Sequence, residues 1–378
     1  MESNVIYRIK GKEYKDNAIA LMEKADLSGM ICAKCPDKGR DARILVKPNL
    51  VSPTPASYGA TTHPEILEAC LEYLTRDGFS DITVAEGSWV GAKTEESLDV
   101  CGYREIIDKY GVSFRDTKKD GYTAKDCGGL TLNVCDCAFD ADYIINLPVL
   151  KGHCQTKVTC ALKNMKGLIP DSEKRRFHTM GLHEPIAKLS LAIKQDFILV
   201  DNICGDPDFE DGGHPVYRDM VLAGTDPVLM DAYGTHLLGR KIDDVPYIRM
   251  AYELGSGELD ISKADIITLG ADESNPDEGA ISSERRLVEV EDAVEEVESC
   301  SACYGYLIPA LYRLQEEGIL PQIDRKICIG QGFRDTVEAT GSKIGIGNCT
   351  KGFAQNIPGC PPTEQEIYEG IKEITNCK

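Results

Sequence analysis

The sequence predicts an α/β protein: a mostly parallel, doubly wound sheet over residues 1–295, followed by a small cysteine-rich α/β module over residues 296–378. Three observations carry this. Short apolar runs alternate with helix-length segments from Val5 to Leu269, the rhythm of parallel strands joined by crossover helices. Several runs, such as Tyr143 to Leu150, are largely apolar, as strands covered on both faces are. The character then changes past the charged stretch Asp272–Glu298, where cysteines and short glycine-ended runs take over. A chain of 378 residues is also long for a single core.

In chain order, 5–8 and 43–47 read as strands with a helix near 14–25 between them. The second strand runs into Lys47-Pro48-Asn49. Pro64 near a first helical turn opens a helix to about Thr75. A strand at 81–85 ends in Glu86-Gly87-Ser88, a helix follows through Glu95–Tyr110, and short strands lie near 112–115 and 130–134. After the strand from Tyr143, the Lys151-Gly152-His153 turn leads into a helix with Val158, Leu162 and Met165 at helical spacing and Thr156 as its N-cap. A helix at 183–194, a strand at 197–201, a Gly- and Asp-rich loop and a strand at 220–224 come next. Asp226-Pro227 opens another helix; a helix at 245–254 and a strand at 264–269 finish this part. In the last part, a helix re-aimed by Pro309 follows Cys303, and strands at 326–330 and 343–347 each end in glycine. Thr363-x-x-Glu366 opens the final helix as a capping box.

Composition narrows the function. The chain carries 62 Asp+Glu against 42 Lys+Arg, a net charge of −20, which argues against a nucleic-acid partner. The first residues, MESNVIYRIKGKEYKD, hold no apolar stretch of the kind an export signal needs, so none is expected, and no apolar run reaches the membrane length of about 18 residues. Sixteen cysteines then point to a reducing cytoplasm, where thiols bind metal or pack as small apolar groups. No P-loop, G-x-G-x-x-G, H-E-x-x-H or G-x-S-x-G occurs.

Against that acidic background, Tyr143 to Pro170 contains no carboxylate but holds Lys151, Lys157, Lys163, Lys166 and His153. A strand end followed by a cationic loop is where open α/β sheets place ligands, and lysines beside helix amides suit an anion. Lys47, Lys151, Lys163 and Lys166 would hold the charge of an anionic small molecule or cofactor, Asn49 and Asn164 would orient it, and His153 would handle protons. A solvated basic face is the alternative. Asp201, Asp206, Asp208, Glu210 and Asp211 could bind a hard cation, although their spacing is not that of an EF-hand and a solvated acidic turn also accounts for them.

Cys300-Ser-Ala-Cys303, Cys349 and Cys360 make one pair at ligand spacing and two cysteines in glycine- or proline-bearing turns. Four thiolates suit a 4Fe-4S cluster, with structural zinc as the alternative. The Gly-Cys-Pro-Pro around Cys360 is similar to the cluster-binding segment in small subunits of nickel–iron hydrogenases and related quinone oxidoreductases. Cys328 reads as a buried thiol that could replace one ligand, and Cys32-Ala-Lys-Cys35 as a surface turn that could hold metal.

Lys47-Pro48-Asn49, Lys151-Gly152-His153, the run from Ala161 to Gly167, the loop from Asp201 and Asp226-Pro227-x-x-x-Asp231 together resemble the DUF 362 family, a domain of unknown function. Among its members the likeness is to those described as iron–sulfur centre proteins. The commonest family version reads Lys-Thr-His where this chain has Lys151-Gly152-His153. The resemblance implies an iron–sulfur link but supplies no settled reaction.

The expectation is therefore an iron–sulfur protein with redox work, an oxidoreductase or an electron-transfer protein with a redox partner. The alternative is a non-redox isomerase or lyase acting on a carboxylate or phosphate ester.

Overall fold

The computed structural model describes residues 1–90, 92–270 and 288–375. Two compact units divide the chain: Met1–Lys174 with His183–Glu284, and Arg175–Leu182 with Arg285–Lys378. Most of the charged boundary stretch, residues 272–287, lies outside the described residues. The second unit begins ahead of the expected cut and also takes Arg175–Leu182 from mid-chain, which no change in composition signals.

The first unit contains β1 (Val5–Lys10), β2 (Ile44–Pro48), β3 (Ile82–Glu86), β4 (Ser113–Asp116), β5 (Tyr122–Asp126) and β6 (Thr131–Cys135). It continues with β7 (Tyr143–Leu147), β8 (Lys151–His153), β9 (Lys157–Thr159), β10 (Phe197–Asn202), β11 (Met220–Gly224) and β12 (Asp265–Leu269). Eight of these form one sheet in the order β12-β1-β11-β10-β7-β2-β3-β4. All its strands run the same way except β11, which pairs antiparallel with both β1 and β10. The central strands β2, β7 and β10 are buried along their whole length, which explains their largely apolar sequence, and the exceptions Lys47, Asn146, Asp201 and Asn202 lie near their carboxyl ends. The helices Tyr14–Ala25 and Pro64–Arg76 turn Leu21, Met22, Ile66, Leu67 and Leu74 toward Ile44, Val46, Ile145 and Leu199 in one core. Truncating such a side chain to alanine costs about 2–5 kcal/mol.

From β2 the chain winds one way to β3 and β4, while β7 and β10 lie on its other side. The reversal opens a crevice beyond the carboxyl ends of β2 and β7, the usual ligand position in such sheets.

Local expectations fail at residues 151–159 and 95–110. Residues 151–159 form a hairpin, β8 with β9, rather than a turn and the start of a helix, and helix begins only at Ala161. Lys157 takes a left-handed φ of 64° that no helix interior permits, and the β-branched Val158 and Thr159 favour strand. Thr156 is therefore no cap. The helix expected through Glu95–Tyr110 is two, Thr94–Val100 and Tyr103–Tyr110, parted at the left-handed Gly102. The strand expected near 130–134 is present as β6, paired with β5 in a separate hairpin outside the main sheet.

In the second unit β13 (Val294–Glu296), β14 (Lys326–Ile329), β15 (Lys343–Ile346) and β16 (Asn356–Ile357) form a parallel sheet in sequence order. The helix Ser301–Glu316 runs through Pro309 without interruption and packs against Glu364–Thr375. Cys328 lies in β14, packed with Phe333 and Phe353 in the core. No described helix is long and apolar enough to cross a membrane.

Candidate functional site

The carboxyl ends of β2, β3 and β7 carry a buried polar network. Lys47, near the end of β2, is fully buried. Its Nζ pairs with the Glu86 carboxylate at the end of β3 and donates to Pro48 O at 2.7 Å. Asn164 reaches over from the segment after β9. Its Oδ1 stands 3.4 Å from Lys47 Nζ and its Nδ2 donates to Asn146 Oδ1 at 2.7 Å. Asn146 in turn donates to Gln195 at 2.5 Å and to Ala161 O. Burial pushes the Lys47 ammonium down, and the Glu86 charge opposes that shift. Gly167 makes the pair possible, since a Cβ there would lie 2.2 Å from Glu86 Oε1 and 2.4 Å from Lys47 Cε. Lys47 and Asn164, both expected at the ligand, make their hydrogen bonds within this network.

A second cluster is built around Glu210, on the loop between β10 and β11. His153 Nε2 donates to Glu210 Oε2 at 2.6 Å and Lys163 Nζ to the same oxygen at 2.7 Å. Lys151 is buried and holds the loop by donating to Glu210 O at 2.7 Å and to Ala60 O at 2.5 Å. The two lysines, His153 and Glu210 sit in a poorly solvated space, with consistent consequences. Burial lowers the Lys151 ammonium to about 7 and the His153 imidazolium to about 3. Burial also works against the Glu210 carboxylate, but His153 and Lys163 outweigh it and hold the acid well below its usual range. His153 Nδ1 accepts from the backbone N–H of Gln155 and Thr156 at 3.0 and 3.1 Å, which fixes the Nε2–H tautomer.

Lys166 lies beside this cluster, half-buried, with no hydrogen-bond or ion-pair partner among the described residues. Burial, then repulsion from Lys163, lowers its ammonium to about 7. An added anion favours the protonated amine, so formate should bind more tightly as pH falls through about 7 and more weakly above it. Calorimetric titration between about pH 6 and 9 should show this dependence, and Lys166→Met should flatten it.

Asn49 stands apart. Its backbone N–H donates to Thr62 Oγ1 at 2.8 Å, while its Oδ1 is buried and without a partner among the described residues. The acidic loop residues diverge instead of converging on a cation: Asp201 turns to His63, Asp206 Oδ1 accepts from the N–H of Asp208 and Phe209, and Glu210 enters the lysine cluster. Asp226 caps its own helix at Val228 and Leu229, and Asp231 accepts from the N–H of Ala161 and Leu162 at the start of the lysine-bearing segment. Gly152 lets the Glu210 loop approach, because a Cβ would fall 2.1 Å from Pro207 O. A threonine there needs a displaced loop.

Sequence reasoning named the cations but missed their counter-charges, Glu86 and Glu210. The signal was available: a stretch rich in lysine and devoid of carboxylates must find its anions elsewhere in the chain.

In the second unit three of the four strands of the small sheet lead to cysteines of the group. Cys300 follows β13 and caps the helix whose first turn holds Cys303. Cys349 lies in the turn Asn348–Thr350 after β15, and Cys360 follows β16. The turn after β14 supplies Gln331, whose Nε2 donates to Cys300 Sγ at 3.4 Å, and Arg334, whose guanidinium is held further protonated by the nearby Cys349. Burial raises the Cys300 and Cys303 thiols, Cys303 to about 12, and the charges of Cys349 and Cys360 raise both further. The four sulfurs therefore share one neighbourhood. Among the described residues no three His, Cys, Asp or Glu side chains form a ready-made shell for a single ion. Cys328 points instead toward Glu295. Cys32 lies inside the helix Leu27–Lys34 and Cys35 caps its end, where a turn was expected.

The comparisons with known proteins follow from the first unit. A thylakoid-associated protein of Synechocystis sp. is 25% identical over 227 residues, 56% of this chain and 68% of that one. Two solved structures share 13% identity. The lactate racemase apoprotein of Thermoanaerobacterium thermosaccharolyticum has a TM-score of 0.40 over 58% of this chain, which spans 54% of that one. A Thermotoga maritima protein has a TM-score of 0.36, over 65% of this chain and 60% of that one. Residues 44–236, half of the chain and the whole span from β2 through the helix after β11, match the family described as "Domain of unknown function (DUF362)". The chain belongs to the DUF362 family.

Proposed function

We propose that this chain is a cytoplasmic iron–sulfur protein with a redox role, as an oxidoreductase or an electron-transfer protein, whose first unit binds an anionic small molecule. The single observation behind the cluster is topological: the parallel strands β13, β15 and β16 lead to Cys300, Cys303, Cys349 and Cys360, and β14 to the sulfur-directed Gln331, at one end of one sheet. Four thiols are the donor set of a four-iron cluster. Such a cluster, when bound, supplies one-electron chemistry. The protein's own part is to hold the thiolates at helix and turn starts and to direct Gln331 and Arg334 at sulfur, which stabilises negative charge there.

The anion reading rests on Glu210. A carboxylate held by His153 and Lys163, with Lys166 beside it, marks a place suited to the carboxylate or phosphate of a ligand. His153 positions that group through Nε2–H. Its Nδ1 is occupied by backbone donors, so the proton-handling role expected of it passes more naturally to Lys166. That amine also favours a second reading, a non-redox isomerase or lyase in which Lys166 removes a proton beside a carboxylate.

Anaerobic purification with iron, sulfide and zinc analysis and electron paramagnetic resonance tests the first reading. About four irons and four sulfides per chain are expected, and Cys360→Ser should lower both. One zinc without sulfide overturns it. Turnover unchanged by dithionite would favour the isomerase or lyase.

A further inference from the structure

A third constellation lies on the first unit, built from residues that neither the lysine cluster nor the cysteine group uses. Asp201, near the end of β10, accepts through Oδ2 from His63 Nδ1 at 2.8 Å and from the His63 backbone N–H at 2.7 Å. Its Oδ1 accepts from the N–H of Ile203 at 3.0 Å. The other ring nitrogen, His63 Nε2, faces Cys204 Sγ at 3.6 Å. Cys204 Sγ also lies 3.5 Å from Ala56 O. The chain positions all three rigidly: His63 precedes Pro64 at the start of a long helix, and Cys204 leaves the sheet two residues after β10.

We infer that Cys204, His63 and Asp201 form a thiol–imidazole–carboxylate site, a reactive nucleophile for small uncharged carbonyl compounds of the aldehyde class. A nucleophile, a base and an orienting third group in this order are the requirements for such a site. Asp201 fixes the ring so that Nε2 addresses sulfur. Although burial disfavours charge on His63, the Asp201 carboxylate more than offsets it and raises the imidazolium to about 11. The Nε2–H so held faces the Cys204 sulfur, which also lies within reach of Ala56 O. Size and charge of the substrate follow from the walls. Cys204 is 1% exposed, the Tyr14 ring stands 5.9 Å from that of His63, and Asp201 and Asp219 place negative charge nearby. Anions are thereby excluded, in contrast to the lysine cluster.

The step balances without a co-reactant. Cys204 sulfur adds to the carbonyl carbon and forms the S–C bond. The π pair moves to oxygen, and the proton on His63 Nε2 passes to that oxygen. The product is a hemithioacetal beside a neutral His63, and nothing is oxidised or reduced.

Alkylation of the full chain by iodoacetamide, followed cysteine by cysteine with peptide mass spectrometry, tests this. Cys70 is the internal control: it is fully buried and raised to about 12 by burial alone. Cys204 should react at least ~10-fold faster than Cys70, and His63→Gln should remove that advantage without changing Cys70. Amide exchange at 203–205 should stay the same in His63→Gln, which separates chemistry from loop opening. Acetaldehyde should slow alkylation of Cys204 and leave Cys70 unaffected. Equal rates at the two cysteines, or an equal effect of His63→Gln on both, overturns the reactive thiol; absence of acetaldehyde protection overturns the carbonyl assignment.

Discussion

Replacing Lys47 by methionine should destabilise the first unit by about 3–5 kcal/mol, because it strands a buried carboxylate without its cation. Lys47 and Glu86 are both almost fully excluded from solvent. Their attraction is strong in that environment, yet each alone is costly to bury. A Lys47→Met, Glu86→Leu double variant removes both charges together and should recover most of the loss, since neither group is then left alone. Trp89, the single tryptophan of the chain, sits three residues past Glu86 and reports unfolding of this unit by fluorescence in urea. A cost below about 1 kcal/mol for Lys47→Met would mean that the amine is not held by the scaffold, and would return Lys47 to the ligand.

The second large effect is expected at Glu210. Its carboxylate competes with any anion for His153 Nε2–H and Lys163, so Glu210→Gln should tighten formate binding by ~10-fold or more, about 1.4 kcal/mol. The same change should lower stability in the absence of anion by about 1–3 kcal/mol, the cost of weakening charge-assisted hydrogen bonds in a poorly solvated place. Formate at about 100 times its dissociation constant should then restore about 2.7 kcal/mol. Calorimetry gives the first quantity and thermal unfolding with and without formate the other two. Unchanged affinity would show that Glu210 is part of the loop's architecture and does not mark a ligand position.

Much of the fold was legible in the sequence because buried parallel strands declare themselves. The runs at 43–47, 143–147 and 197–201 each hold three or more consecutive apolar residues and became β2, β7 and β10. The hairpin at 151–159 was not legible, because Val158, Leu162 and Met165 have helical spacing by chance and the deciding feature is the left-handed backbone at Lys157. The direction of β11 was hidden for a different reason: a strand's sequence records its burial but not the orientation of its neighbours. At the site, the cations could be read from local composition, but which of them pair internally depends on Glu86 and Glu210, remote in sequence. Gly152 and Gly167 were visible as motif letters. Their reason, space for Pro207 O and for the Lys47–Glu86 pair, required the assembled sheet.

The reversed strand has an evolutionary consequence. Because β11 alone opposes the rest, the link from β10 leaves and re-enters at the same rim, with no helix carrying the chain to the far edge. Residues 203–219 thus behave as an exchangeable cassette, anchored by two adjacent strands and delivering both Cys204 and Glu210. Relatives could retool their chemistry by swapping this one segment, with longer versions adding little closure entropy, while the supporting framework stays unaltered.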